Sequence, residues 1–521
     1  MEQIYNLLYE PWIPAIDLEG RSIKLGIKDV VLKAHELRDI YDPSPIVTAS
    51  LYRLLLALLQ RIYGPRGYEE WKNLYNKEEF ESSPLENYIN KWEDRFWLIH
   101  DKHPFYQVIE PYPQNKAVSI GYLTMDSVLV GNINMLFDHG LNFITYSLPL
   151  DVATRLLVTY QSYAFCGLGS KNWITNIHEP SFKDSPIVRN KAVVIIKGEN
   201  LFKTFLYNLM IIEDSGGIPA WEVDSWEPGE NQYPSGYLDL LTWQSRRLFL
   251  LYDERSGQIR EFHRDKGRTL ADNVRDPMVA YKISEKRGYI PYGFEKDREI
   301  WRDITALLNL SRDSETMPPK VINHLAELVE KDILKMHQTL KSMLFGVCAK
   351  KGTDVKVHFW RREELPIPLA YLKNEELVRI LQLCLDMAEG VSKILYASVK
   401  YLMEKISKGK EANILYNHFN PQPYYWSVLE QKFYETMFDI AKLDGIDPQQ
   451  KAEKEWAITV YKTALNSFHT MVNSLDHSAI TLKAITETEE FLIAKLLSEK
   501  KSPFGGDFVK YIKEVIYGKR K

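Results

Sequence analysis

Two histidines three residues apart, His100 and His103 in FWLIHDKHPF, have metal-like spacing, with Asp101 between them. Imidazole nitrogens and a carboxylate so placed could bind a zinc-like ion and activate water for phosphodiester cleavage. A metal site needs a third ligand, and the sequence does not say where one would come from. The competing reading is structural, with the imidazoles capping or hydrogen-bonding the backbone ahead of Pro104. Asp138-His139 and Asp476-His477 are the other acid–imidazole pairs, without the further His and Asp at recognisable offsets that a phosphohydrolase requires. There is no GxxxxGKS/T loop, no HExxH helix and no GxSxG elbow. Those absences argue against P-loop hydrolysis, zincin chemistry and α/β-hydrolase chemistry.

Three stretches carry chemistry better suited to phosphates. Gly167-Leu168-Gly169-Ser170-Lys171 follows the aromatic run Tyr160 to Phe165, and its glycines would let backbone N–H groups approach a ligand closely. From Arg255 to Arg275 six basic residues (Arg255, Arg260, Arg264, Lys266, Arg268, Arg275) outnumber the acids Glu261, Asp265 and Asp272. Such a cluster neutralises phosphates and releases counterions. Gly346 to Arg362 carries Lys350, Lys351, Lys356, Arg361 and Arg362 against the single acid Asp354, about a turn centred on Gly352. A basic turn between ordered flanks suits insertion into a groove while the flanks grip the backbone. For each stretch the plain alternative is a tight turn or a solvated hairpin.

These stretches need elements to position them. Ile46, Leu51, Leu54, Leu55, Leu58 and Ile62 recur at helical spacing, which predicts a helix over 45–63, and 291–310 reads as partly helical. Short apolar runs predict strands over 192–197 and 247–252. Residues 214–236, dense in Gly and Pro, read as a long surface loop without regular structure. Beyond Pro366 and Pro368 the pattern simplifies to four amphipathic stretches, 374–407, 425–443, 448–475 and 484–501, which predict an up-down bundle. The expected architecture is α+β: a mixed domain over 1–370 with long loops, then a C-terminal four-helix bundle over 371–521 whose end, 504–521, is a basic tail or extra helix.

A chain of 521 residues, 45% apolar, can bury a large core divided among two to four domains. The net charge is only −4, so any nucleic-acid surface must be a local patch. Three scattered cysteines without a CxxC pair argue against disulfides or structural zinc and fit a reducing, cytoplasmic compartment. No basic and apolar leader opens the chain, and the apolar runs are short, so neither standard export nor a membrane is expected.

Asn6-Leu7-Leu8-Tyr9-Glu10-Pro11-Trp12-Ile13-Pro14 resembles the NLLxxxWIP start of the CasA family, the large subunits of type I-E CRISPR Cascade surveillance complexes. Phe96 to Gln107 is similar to that family's aromatic-Leu-x-His-x-x-His-Pro-Phe-x-Gln stretch. Gly167-Leu168-Gly169, Leu241-Thr242-Trp243-Gln244, Arg361-Arg362 and the helix over 424–440 match in order, so the resemblance spans most of the chain. It implies a mixed N-terminal domain and a C-terminal four-helix bundle. It also implies a non-catalytic subunit, without a cofactor, that reads the protospacer-adjacent motif (PAM) on duplex DNA and contacts the 5′ handle of the CRISPR RNA. Such a subunit helps open the duplex and recruits a helicase–nuclease; its other partners are the backbone and small subunits of Cascade.

Residue by residue, the resemblance places the minor-groove glycine loop on Gly167, Leu168 and Gly169, with Ser170 where the family has another glycine. The lysine finger falls at Lys266, with Arg264 as the alternative. The strand-separating wedge falls on the loop Lys350, Lys351, Gly352, Thr353, Asp354 and Lys356, where the family's glutamine is missing and Lys351 or Lys356 supplies the bulk. The handle contact falls on Phe137 and Asn142. Two readings from other classes stand beside this one: a metal-dependent nuclease built on His100, His103 and Asp101, and a purely structural interaction module with incidental basic loops.

Overall fold

Every residue from Ile46 to Gln60 is buried in the helix Pro45–Tyr63, so its apolar side chains cover the whole circumference rather than one stripe. Proline at the first helical position suits the start, where its missing N–H has no partner to lose. Gly64 caps the helix at a position that takes only glycine, since a Cβ there would lie 2.2 Å from the Gln60 carbonyl oxygen. By length and composition this helix could cross a membrane, yet 83% of its most apolar window is buried inside the protein. The computed structural model describes residues 3–109, 117–124, 147–166, 171–172, 177–178, 183–187, 191–212, 216–286, 288–310, 315–350, 356–407, 409–442, 446–498 and 506–517.

The chain forms two compact units, the first made of Met1–Ile300, Arg312–Lys335 and Thr339–Ile367. The buried helix lies in this unit, against the helix Leu150–Tyr163, the short helix Tyr237–Leu241 and the strand Thr339–Lys350. That strand lies between Lys356–Pro368 and Ala192–Lys197 in a three-stranded sheet. Its antiparallel register with the latter runs from Lys341↔Lys197 to Gly346↔Ala192. A second ribbon pairs Arg246–Asp253 with Gln258–Lys266, from Arg246↔Lys266 to Asp253↔Gln258. The strand Ile4–Asn6 pairs with Trp97–Ile99, which brings the two motifs 6–14 and 96–107 together. Gln107 then ties them to the ribbon: its Nε2 donates to the Leu98 carbonyl (2.6 Å) and its Oε1 accepts from the Leu250 N–H (2.7 Å).

The segment 214–236 corrects the sequence reading. Residues 220–222 form a 3-10 turn, and Gly229–Gln232 is a strand pairing in parallel with Arg268–Leu270. Trp221 is 4% exposed and packs against Phe96, Phe105 and Tyr106. Glu222 accepts both nitrogens of an Arg61 fork at 2.9 and 2.7 Å, plus the Tyr88 hydroxyl at 2.6 Å. Gly217, at φ +87°, supplies a turn that few side chains tolerate. Gly and Pro density signalled irregular backbone, but the aromatic and acidic side chains it carries anchor that backbone to the core.

The second unit comprises Trp301–Ser311, Met336–Gln338 and Pro368–Lys521. Four long helices, Glu375–Ile406, Gln422–Ala441, Ile446–Val472 and Ala479–Leu496, share a core with Trp301, Phe433 and Trp456 at its centre. Asn374 caps the first helix by accepting the Glu376 N–H, and acids at 375 and 376 face its positive end. The last of the four starts five residues earlier than expected because Ser478 accepts the Thr481 N–H, a cap that the apolar pattern does not register. Lys410–His418, unassigned from sequence, is a further short helix, and Gly506–Tyr517 is the extra helix of the tail. Pro423, read as connector, stands in the first turn of its helix.

His324, on the helix Lys320–Glu330 of the first unit, is 5% exposed, edge-on to Trp71, and its Nε2 has no hydrogen-bond partner among the described residues. Burial pushes its pKa down to about 4. The unfolded chain, near 6.5, takes up a proton that the folded unit refuses. The stability contribution is therefore complete above about pH 6.5 and declines as pH falls toward 4. His324→Leu is expected to remove that decline. Compared with its value near neutrality, the stability of the variant relative to wild type should rise by on the order of 3 kcal/mol as pH approaches 4. Thermal unfolding of both proteins across that range measures it; a pH-independent difference would refute a neutral buried imidazole.

Candidate nucleic-acid interface

The basic stretch 255–275 does not stay clustered in space. Arg260 faces Asp253 at 3.5 Å, and Arg268 grips both oxygens of Asp239 (2.7 and 3.1 Å) while stacking 3.6 Å over Trp243. Arg275 donates to the Asp272 carbonyl (2.7 Å) and lies 4.4 Å from the Tyr289 ring. Arg264 lies 4.7 Å from the Tyr122 ring and donates to the Tyr160 hydroxyl at 3.3 Å. Lys266 differs: it is exposed at the end of its strand, with no side-chain ion pair among the described residues.

Lys266 lines an open pocket of ≈ 360 Å³ together with Lys183, Arg246 and Arg247, against the acids Glu230 and Asp265. Among the described residues Lys183 pairs across it with Glu230 at 3.5 Å, well exposed and screened, and the lining holds four basic residues against two acids. Gly267 sits at its rim because a Cβ there would meet the Arg246 nitrogen at 2.4 Å. A lining of this charge can attract phosphate oxygens.

The same ribbon holds the base of the glycine segment. Gly167, Leu168, Gly169 and Ser170 lie outside the described residues, as do Phe137, Asn142, Asp138-His139, Lys351, Gly352, Thr353 and Asp354. Lys171–Asn172 pairs with Ile177–His178, and hydrogen bonds join the chain before 167 to the chain after 182. The Ser185 N–H donates to the Ala164 carbonyl (2.9 Å), the Ile187 N–H to the Ser162 carbonyl (3.1 Å), and the Cys166 N–H to Asp184 Oδ1 (2.7 Å). Arg246, 3% exposed, donates to the carbonyls of Phe165 (3.2 Å), Lys183 (2.5 Å) and Ser245 (2.8 Å). Burial lowers its pKa, but a guanidinium stays charged, so three carbonyl dipoles offset its desolvation. Gln161 fixes the Arg246 backbone from the neighbouring helix, accepting its N–H at 2.9 Å and donating to its carbonyl at 2.9 Å. Sequence reading began the strand at Arg247 and passed over Arg246; a charged residue just ahead of an apolar strand was the signal.

At the third basic stretch, Lys350 and Lys356 close the two strands that flank the turn. The double arginine corrects the expectation of a backbone grip. Arg362 pairs with Asp39 (2.6 Å) and Glu364 (2.9 Å), and Arg361 pairs with Glu363 (2.7 Å) and packs 4.5 Å from the Phe359 ring. Arg362 is committed to tying this strand to Leu37–Ile40, and Arg361 to its own strand.

The histidine pair is structural as well. His100 Nδ1 accepts the N–H groups of Lys102 (2.9 Å) and His103 (2.8 Å), so its proton resides on Nε2, which faces Asp94 Oδ1 at 3.2 Å. His103 Nδ1 is met by Arg95 at 3.2 Å; burial, then Arg95, lowers its pKa. No group of three His, Cys, Asp or Glu able to hold a metal occurs among the described residues. Asp476 also has a local task, accepting the Thr481 hydroxyl at 2.7 Å beside the Ser478 cap.

Residues 6–467 match the family described as CRISPR-associated protein Cse1. The CRISPR-associated protein CasA/Cse1 of Thermus thermophilus is 28% identical over 504 residues, covering 93% of this chain and 96% of that protein. The crystal structure of CasA from Thermus thermophilus superposes with a TM-score of 0.78 at 26% identity, covering 94% of this chain and 98% of the other. A chain of a CRISPR RNA-guided surveillance complex, 19% identical, shares the fold with a TM-score of 0.76 over 94% of this chain and 99% of its own.

His100→Ala is expected to cost about 1–3 kcal/mol, since it strands two backbone N–H groups. His100→Asn, whose side-chain oxygen can accept the same groups, should retain most of that stability. Thermal unfolding with and without a chelator measures both; a chelator-induced drop in the wild-type Tm would restore the metal-site reading.

Proposed function

Because the chain belongs to the CRISPR-associated Cse1 (CasA) family, we propose that it is the non-catalytic large subunit of an RNA-guided surveillance complex, acting in the cytoplasm on double-stranded DNA. In this reading Gly167, Leu168, Gly169 and Ser170 enter the minor groove at the PAM, with Lys266 on the adjoining phosphates. The minor groove presents a degenerate donor and acceptor pattern, so readout there is tolerant. The turn carrying Lys350, Lys351, Gly352, Thr353, Asp354 and Lys356 is the wedge that helps part the strands, and Phe137 and Asn142 contact the 5′ handle of the CRISPR RNA. The partners are that RNA, the backbone and small subunits of the complex, and a recruited helicase–nuclease. We assign the nucleic-acid contacts to the first unit.

The observation that carries this reading is that the base of the glycine segment and Lys266 meet at one basic pocket. The 28% identical CasA/Cse1 relative and the fold shared with a chain of a surveillance complex support the assembly. The backbone hydrogen bonds of His100 speak against the nuclease. Three cysteines, all free, suit a reducing compartment.

The test is duplex binding by the subunit assembled with its RNA-bound partners, at two salt concentrations and with two candidate PAM sequences. Lys266→Ala should weaken both duplexes alike and reduce the salt slope by roughly 1. The Gly167→Leu, Gly169→Leu double variant should lose discrimination between the duplexes while keeping its slope. Unchanged discrimination in that variant would favour the structural-module reading.

A further inference from the structure

We propose that the cavity lined by Lys102, His103 and Trp226 is a binding site for one unstacked base, with its phosphate, of a single-stranded nucleic acid. The cavity is open, of ≈ 190 Å³, and shares no lining residue with the pocket at Lys266. It is walled by the end of the histidine motif and by the segment around Trp221, so two stretches that the groove-reading assignment leaves unused meet at one place.

The two tryptophans of that segment differ in what they touch. Trp221 is an anchor: its Nε1 donates to the Tyr88 hydroxyl at 2.7 Å, and its ring packs on Phe105 and Tyr106. Trp226, five residues on, is half-buried and makes neither a hydrogen bond nor a ring contact among the described residues. An indole so placed offers a planar face on which a base can stack, whatever the base.

His103 supplies a donor to the same cavity. A guanidinium can only donate, so Nδ1, 3.2 Å from Arg95 Nη1, is the accepting nitrogen. Burial, then Arg95, favours the neutral ring, whose proton therefore resides on Nε2. Nε2 has no partner among the described residues. Base nitrogens and carbonyls are acceptors suited to such an N–H. Arg95 is paired with Asp224, which leaves the exposed Lys102, without an ion pair among the described residues, as the cation for a phosphate. The unpaired indole and imidazole require a planar ligand with acceptors, and the lysine requires a negative charge beside it. A base inside a duplex cannot present its face, so the ligand is single-stranded.

The experiment measures binding of fluorescein-labelled single-stranded tetranucleotides, one DNA and one RNA, to the full chain by fluorescence anisotropy. Trp226→Ala is expected to weaken binding about tenfold, and Trp226→Phe, which keeps a ring face, to stay within about threefold of wild type. Lys102→Ala should reduce the salt slope by roughly 0.7. Lys102 is exposed, so this arm stands even if Trp226→Ala lowers the stability of the chain. Saturable binding of either oligomer that depends on Trp226 upholds the proposal, and the tighter of the two identifies the strand. Affinities unchanged in both Trp226→Ala and Lys102→Ala would overturn it. A nucleoside monophosphate that competes as well as the tetranucleotide would overturn the strand in favour of a free nucleotide. Unchanged oligomer binding beside weakened assembly with the partner subunits would make Trp226 a protein contact instead. The Gly167→Leu, Gly169→Leu double variant should keep wild-type tetranucleotide affinity, and Trp226→Ala should keep discrimination between duplexes, so the failure of either reading leaves the other standing.

Discussion

A helix buried on every side must find partners for the polar side chains it carries, and for Pro45–Tyr63 the first unit supplies them to Arg53, Gln60 and Arg61. Arg53, 1% exposed, pairs with Asp276 at 2.9 Å and donates to the Leu240 carbonyl at 3.2 Å. Gln60 exchanges two hydrogen bonds with the backbone of Met210, and Arg61 holds Glu222. Removing one partner of a buried ion pair costs about 3–5 kcal/mol. The segments around Met210, Glu222, Leu240 and Asp276 are therefore pinned to one helix, although they come from widely separated parts of the chain.

That scaffold is the physical basis for the fixed geometry of the surface to which we propose the DNA contacts belong. Leu150–Tyr163 packs on the buried helix and runs directly into Ala164–Cys166, the outgoing limb of the glycine segment. Gln161 near its end bonds Gln244 and Arg246, transferring the placement of the helix to the ribbon that bears Lys266. Contacts that fix position come from rigid elements, while ligand-touching residues generally belong to the connections between such elements. His100, read as a metal-ligand candidate, and the motif residues Gln107 and Gln244 serve this scaffold by bonding backbone groups.

Residue periodicity and strand-forming composition located the elements whose signal is local. The helix 45–63 and the strand 192–197 have the limits expected of them, and the strand 247–252 gains one residue at each end. Apolar spacing also found the four long helices, because a bundle face must repeat every three to four residues. It misplaced the last by five residues and left Lys410–His418 unassigned, since caps and short helices depend on single hydrogen bonds that periodicity averages away. Gly and Pro content marked 214–236 as irregular but could not foresee that Trp221 and Glu222 would anchor it.

The sequence by itself determined the fold class, the helical C-terminal region and, through ordered motifs from Asn6 onward, the family. Those properties reside in local pattern and in residue order, which a linear reading preserves. Only the tertiary structure decided which charges act together. Of the basic residues close in sequence, Arg260 and Arg268 are committed to acids, Arg264 and Arg275 stack on tyrosines, and Lys266 is presented at the pocket mouth. Its neighbours there, Lys183 and Arg247, come from other segments, and the buried Arg246 joins the limbs of a loop far from it in sequence. Charge is read one residue at a time, whereas an electrostatic site is a sum over distance, and the distances exist only once the chain has folded.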